Sequence, residues 1–307
     1  MSNYPKLTLL TEPVNDAGKR YGGHYAVTRS LVEGLQKIDA HFNYNPGDMA
    51  EVGETVAVLS GIETLMEAID WKNKGYINKL LAGPNLMTVR TKGFREIFSS
   101  PALDICLVPS DWVRIAYEET APALKGRIRC WYAGVDENYW KPEIRSTNEN
   151  TVLVYWKTEP ADFNGQVERI LLKHGWNPVR VVYGSYTAAQ FKNVLAKSVF
   201  AVFLSKSESQ GLALAEAWSM DVPTLVWSPR ELVIETRQYA VFSACPYLCD
   251  LTGMQWTTTG ELEQLLEALP AKLVACKPRK WVLENMTDTI AAKIFLDIKN
   301  EKMDNSH

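Results

Sequence analysis

Residues 200–227, FAVFLSKSESQGLALAEAWSMDVPTLVW, gather the groups in this 307-residue chain best suited to chemistry. An apolar run reads as a strand ending at Ser205. A short polar loop, SKSESQG, follows, and a helical pattern begins near Leu212. Small residues and backbone N–H groups thus stand at a helix N-terminus beyond the C-terminal end of a strand, where open parallel sheets hold phosphate. Glu208 lies in the loop and Glu216 eight positions on, a spacing that predicts both carboxylates on one side of a helix. Glu216 stands among Ala, Leu and Trp, where a carboxylate is costly unless it accepts hydrogen bonds, and ribose-like hydroxyls would donate them. The plainer reading makes Glu208 a loop charge and pairs Glu216 with a lysine.

The elements that must position these groups alternate short apolar runs with amphipathic stretches, the pattern of parallel α/β sheets. Strands are expected at LTLLTE (7–12), TVAVLSG (55–61), KLLAGPNLM (79–87), LDICLVPS (103–110) and IRCWYAGVD (128–136), with helices at YAVTRSLVEGLQKI and DWVRIAYEET. The stretch KPEIRSTNEN has linker composition. After it the pattern restarts with TVLVYWK (151–157), PVRVVYG (178–184), FAVFLS (200–205) and TLVW (224–227), each followed by helix. ELEQLLEAL and RKWVLENMTDTIAAKIFLDI are further helices. The length suits two domains of about 150 residues each. The expected architecture is α/β, two units facing across a cleft.

The loop and helix resemble the Glu-x7-Glu motif of retaining family 4 glycosyltransferases (the group 1 glycosyl transferases). Ser205, Glu208, Gly211, Leu212, Glu216, Ala217 and Pro223 stand at matching places, whereas Ser209, Gln210 and Asp221 replace a glycine, an aromatic residue and a second glycine. LVPSDWVRIAYEE, IRCWYAGVDENYWKP and GKRYGGHYAVTRSLVEGL resemble further segments of that family, in order. The resemblance implies the GT-B fold: a Rossmann-like acceptor-side domain over 1–143, a Rossmann-like nucleotide-sugar domain over 144–285, and a final helix over 286–307 returning to the first.

The resemblance also implies roles. Glu208 would hold hydroxyls of the donor sugar and Glu216 the nucleotide ribose. The loop from Ser207 through Ser209, Gln210, Gly211 and Leu212 would hold the diphosphate through backbone amides. Lys157, closing the strand TVLVYWK, stands where the family keeps a cation for the pyrophosphate; a solvated strand end is the alternative. Asp162 replaces a second lysine, for which Arg169 or Arg180 could compensate. Ser185 and Tyr186 match the loop framing the nucleobase, although a turn tyrosine packing locally fits equally. Gly22 and Gly23 would approach a phosphate or acceptor, since glycine lets backbone come close. His24 beside them and Asn85 in the Gly83-Pro84-Asn85 loop are weaker candidates for the same side; a surface histidine and a plain turn are the competing readings.

Composition narrows the classes. Lys and Arg number 33 against 36 Asp and Glu, which disfavours nucleic-acid binding as the main task. The five cysteines are scattered and read as reduced thiols. Cys245-x3-Cys249 has no histidine nearby to complete a zinc site. No signal peptide or membrane span is legible, so a cytoplasmic location is expected. Absent too are Asp-x-Asp, Gly-x-Ser-x-Gly, a Walker lysine loop and Gly-x-Gly-x-x-Gly. The resulting expectation is a retaining, metal-independent glycosyltransferase, with no cofactor beyond its nucleotide-diphospho-sugar co-substrate, a UDP- or GDP-sugar. The acceptor (a glycan, small molecule or modified base) is left open. The alternatives are a sugar-nucleotide epimerase of the same architecture, a non-catalytic nucleotide-sugar-binding protein, and a transferase acting on modified DNA bases.

Overall fold

The computed structural model describes residues 7–12, 23–85, 95–143, 150–158, 160–234 and 236–302. These fall into two compact units: residues up to 134 together with 288–302 form the first, and 135–287 the second.

In the first unit the elements run β1 (Leu7–Leu10), α1 (Gly23–Lys37), β2 (Asn43–Tyr44), β3 (Thr55–Val58), α2 (Ile62–Asn73), β4 (Lys79–Ala82), α3 (Arg95–Phe98), β5 (Ile105–Val108), α4 (Asp111–Thr120) and β6 (Ile128–Cys130). The strands form one parallel sheet in the order β2-β1-β3-β4-β5-β6. Val56, Ala57, Val58, Ile105, Cys106, Leu107 and Val108 are all fully buried. Such continuous burial is what a parallel strand covered on both faces requires, and it explains the unbroken apolar runs.

The second unit continues with β7 (Thr151–Trp156), α5 (Ala161–Lys173), β8 (Asn177–Val182), α6 (Ala188–Lys197), β9 (Phe200–Leu204), α7 (Leu212–Ser219), β10 (Thr224–Trp227), β11 (Leu232–Ile234), β12 (Arg237–Tyr239), β13 (Gly253–Trp256), α8 (Thr259–Glu267), α9 (Leu269–Ala275) and α10 (Pro278–Asn285). Its parallel sheet has the order β13-β10-β9-β7-β8, and β11 and β12 make a small antiparallel pair. Val152, Val154, Val202, Leu204 and Leu225 pack with Val167 and Leu171 of α5 and Leu262 and Leu266 of α8 into the core. Edge strand β8 carries Pro178 and Arg180, residues that discourage further pairing. Arg180 is clamped to both Glu168 oxygens at 2.8 and 2.7 Å and lies over the Trp156 ring.

The segment RKWVLENMTDTIAAKIFLDI is not one helix. α10 ends at Asn285, Thr287 bridges to Val135, and α11 (Asp288–Asn300) then belongs to the first unit. There the buried Asp288 carboxylate accepts from Arg29 at 3.1 and 3.4 Å and from Lys37 at 3.2 Å, both on α1. Gly34 permits the close approach, since a Cβ there would come within 2.2 Å of the Asp288 carbonyl oxygen. Trp131 donates through Nε1 to the Ala291 carbonyl at 2.8 Å. No helix among the described residues is long and apolar enough to cross a membrane.

Candidate functional site

The second sheet reverses direction between β7 and β9: the chain leaves β7 toward β8 on one side, then returns to place β9 on the other. Ligands of open α/β sheets bind beyond the carboxyl ends of the strands at such a switch point. Here those ends carry Lys157 and the loop 205–211. Register pairs Trp156 with Leu204, and the Lys157 N–H donates to the Leu204 carbonyl at 3.1 Å, bringing the two strand exits side by side.

Lys157 Nζ donates to both oxygens of Glu208, at 2.9 Å to Oε1 and 2.7 Å to Oε2. The Lys157 side chain retains 24% of its exposure and that of Glu208 11%. Lys157 is therefore not a solvated strand end, and Glu208 is not a free loop charge. The ammonium also lies 4.7 Å from the centre of the half-exposed Tyr183 ring. Main-chain bonds fix the loop: Glu208 N–H donates to the Ser243 carbonyl at 2.9 Å, Lys206 N–H to Thr158 Oγ1 at 2.9 Å, and Ser205 Oγ to the Ser207 carbonyl at 3.1 Å.

Gly211 ends the loop in the left-handed region, φ 85° and ψ 57°, and caps α7. Its carbonyl accepts from Leu214 and Ala215 at 3.0 and 3.2 Å, so the first amides of α7 begin at Leu212, beyond the strand ends. Amides of a helix's first turn lack intrahelical partners and favour anions. Glu216, one turn in, is buried with 4% exposure, as is Gln210 with 7%; Ser209 is exposed. Because α7 starts only at Leu212, the eight-residue spacing of the glutamates is not two helical turns. Glu208 is held by the loop and by Lys157 instead.

Both carboxylates nonetheless act on one pair of phenols. Tyr155, on β7, and Tyr186 approach hydroxyl to hydroxyl at 3.1 Å. The Tyr155 phenol is pushed well above its usual range, first by burial, then by Tyr186, Glu208 and Glu216. Tyr186 is raised as well, again mainly by burial, with Glu216 and Glu208 contributing. The Tyr186 ring packs on Phe191 at 5.1 Å, so local packing is part of its role, while Ser185 beside it is exposed.

Lys157, Ser207, Glu208, Ser209, Gln210, Gly211, Leu212 and Glu216 thus share one edge of the second sheet, with Tyr186 in electrostatic contact. Arg180 does not replace a second cation there, since Glu168 holds it against Trp156. Sequence reasoning missed Tyr155, Tyr183 and the 243–245 segment. That segment supplies the Ser243 carbonyl and the buried Cys245, whose thiol is raised well above normal by burial and then by Glu208. The Cys245-x3-Cys249 spacing marked the segment for a different reason.

The remaining candidates lie in the first unit. Gly23 opens α1 and His24 is exposed. Asn85 Nδ2 donates to the His24 carbonyl at 3.4 Å, which places the loop after β4 against the start of α1. Gly22 lies outside the described residues. Gly61, after β3 with φ 92°, stands against the Glu12 backbone where a Cβ would come within 3.3 Å of its nitrogen. The carboxyl ends of β1, β3 and β4 and the start of α1 therefore meet at one edge of this sheet too.

No protein-family model matches the sequence, and neither does any curated protein. Solved structures do match in fold. A glycosyltransferase from Rickettsia africae superimposes with a TM-score of 0.61 at 14% identity, over 99% of this chain and 100% of that one. HepE from Anabaena, solved in complex with UDP, gives 0.62 at 9% identity over 95% and 98%. The lipopolysaccharide outer core galactosyltransferase WaaB gives 0.57 at 11% identity over 95% and 98%. The chain has the GT-B fold of these enzymes, as the sequence resemblance implied.

Proposed function

We propose that this protein is a glycosyltransferase that moves a sugar from a nucleotide-diphospho-sugar to an acceptor hydroxyl, with retention and without a metal ion. The observation that carries the reading is the convergence, at the switch point of the second sheet, of one cation, two carboxylates and the amide-rich start of a helix. The amides around Gln210 to Leu212 bind the diphosphate, and Lys157 neutralises charge that builds on the departing nucleoside diphosphate. Glu216 accepts from the ribose hydroxyls and Glu208 from hydroxyls of the transferred sugar. Because these groups meet the phosphate charge themselves, the reading assigns no metal. HepE, of the same fold, was solved with UDP and, in a second structure, with UDP and glucose, which supports a nucleotide-sugar donor here.

No carboxylate of the donor site is assigned as a nucleophile, so retention follows from front-face attack. The acceptor hydroxyl enters on the side the diphosphate leaves, and the leaving phosphate takes its proton. The bond from the sugar's anomeric carbon to the diphosphate oxygen breaks as the new one to the acceptor oxygen forms. The protein's share is orientation and charge stabilisation. Gly23, His24 and Asn85, at the carboxyl edge of the first sheet, are assigned to the acceptor side. The five free cysteines fit a cytoplasmic setting.

Calorimetric titration with UDP, GDP, ADP and their sugar conjugates, without metal, tests the reading. One nucleotide should bind the wild type and be lost on Glu216→Ala. A folded wild-type protein that binds none of them refutes the transferase assignment.

A further inference from the structure

Resting on that transferase reading, we infer that Lys157 and Glu208 form an exchangeable ion pair that distinguishes the loaded donor from the spent nucleotide and expels the latter. The two groups assigned to different parts of the donor are bonded to each other: Nζ reaches both carboxylate oxygens, at 2.9 and 2.7 Å. Their main chains are pinned, Lys157 N–H to the Leu204 carbonyl and Glu208 N–H to the Ser243 carbonyl. Exchange is therefore a matter of side-chain rotation, with the loop in place.

A diphosphate at the start of α7 competes with Glu208 for the Lys157 ammonium, and the carboxylate beside it repels the incoming charge. With a diphospho-sugar, both partners are satisfied again after the exchange: phosphate oxygens take Lys157, and sugar hydroxyls donate to Glu208. Once the sugar has moved to the acceptor, those hydroxyls are gone. A largely buried carboxylate that has lost its counter-ion is costly, so Glu208 recaptures Lys157 and the bare diphosphate loses its cation. The Tyr183 ring at 4.7 Å keeps the ammonium near the strand end in both states.

The experiment compares UDP with UDP-glucose, GDP with GDP-mannose and ADP with ADP-glucose by calorimetry, on wild type and on Glu208→Gln, with far-UV circular dichroism confirming the fold. For the nucleotide that binds, the wild type should prefer the sugar conjugate over the bare diphosphate by on the order of tenfold or more. Glu208→Gln should tighten the bare diphosphate on the order of tenfold and erase the preference. Should Glu208→Gln not fold, Glu208→Asp, which lengthens the pair, should shift the diphosphate in the same direction by less. The inference is overturned if the variant weakens both ligands by one factor, or leaves the diphosphate unchanged, while the wild type still binds. If the wild type binds no nucleotide at all, the transferase reading itself fails and this inference with it.

Discussion

Gly211 joins the loop to α7, and replacing it with alanine separates two physical effects that a single stability change would merge. Its φ of 85° lies in the left-handed region, which costs an L residue about 1–2 kcal/mol. The stiffer unfolded chain returns about 0.4–1 kcal/mol of that. In addition, the new Cβ would sit 2.8 Å from Leu214 Cδ1, on a side chain that is 1% exposed and has little room to move. Overpacking of this kind costs about 1–3 kcal/mol. Gly175, in the same unit, supplies the control: its φ is 79° and a Cβ there meets nothing within 4 Å. Gly175→Ala should therefore show the backbone effect alone, and Gly211→Ala should be less stable than it by about 2 kcal/mol. For a unit of this size that difference corresponds to a melting temperature about 4–8 °C lower, read by circular dichroism in parallel scans. The site should respond as well, because the glycine aims the first amides of α7: Gly211→Ala should weaken nucleotide binding, while Gly175→Ala should not. Equal melting temperatures for the two variants would refute the packing argument. Unchanged nucleotide affinity in Gly211→Ala would refute the placement of the phosphate at the start of α7.

Three further outcomes follow from the geometry. Asp288→Ala leaves Arg29 and Lys37 facing a buried void without their shared counter-charge, and should destabilise the chain by about 3 kcal/mol in urea titration, whereas Asp70→Ala, at the exposed pair with Lys74, should leave the urea midpoint nearly unchanged. Tyr155 and Tyr186 have phenols raised above the ordinary value of 10.0, so the folded state holds protons that the unfolded state releases. Stability should accordingly be at its full value below pH 10 and fall as the pH rises beyond it, with a shallower fall in Tyr155→Phe; a flat profile from pH 9 to 11 would sink this reading. Lys157→Ala should weaken the sugar conjugate by about tenfold to a hundredfold in calorimetry, since a charge-assisted contact to phosphate is lost, and the bare diphosphate by less, because Glu208 already draws the ammonium away from it.

The sequence by itself determined most of the buried strands and the place of the polar loop before α7. Strands such as β5, β7, β9 and β10 are covered on both faces, so their residues must be apolar throughout, and that is visible in a run of four to six letters. The change from apolar run to polar loop to helix at Gly211 and Leu212 is equally local, because one glycine makes the left-handed turn. The resemblance implied a final helix from 286, but periodicity alone did not mark the break between α10 and α11, because amphipathic letters continue through Met286 and Thr287; the interruption is made by the bridge from Thr287 to Val135. Nor did the spacing of Glu208 and Glu216 carry the meaning that helical periodicity lends it, since only one of the two is on the helix.

Tertiary structure alone decided who meets whom at the site. Lys157 and Glu208 are 51 residues apart, and they pair because β9 crosses over to lie beside β7 in register. The Ser243 carbonyl that holds Glu208, and the Arg29 and Lys37 side chains that hold Asp288, likewise come from distant parts of the chain. Periodicity and turn chemistry act between neighbours along the backbone and can be read from their order. Ion pairs across a sheet depend on strand order and register, which the whole set of packed apolar faces selects together.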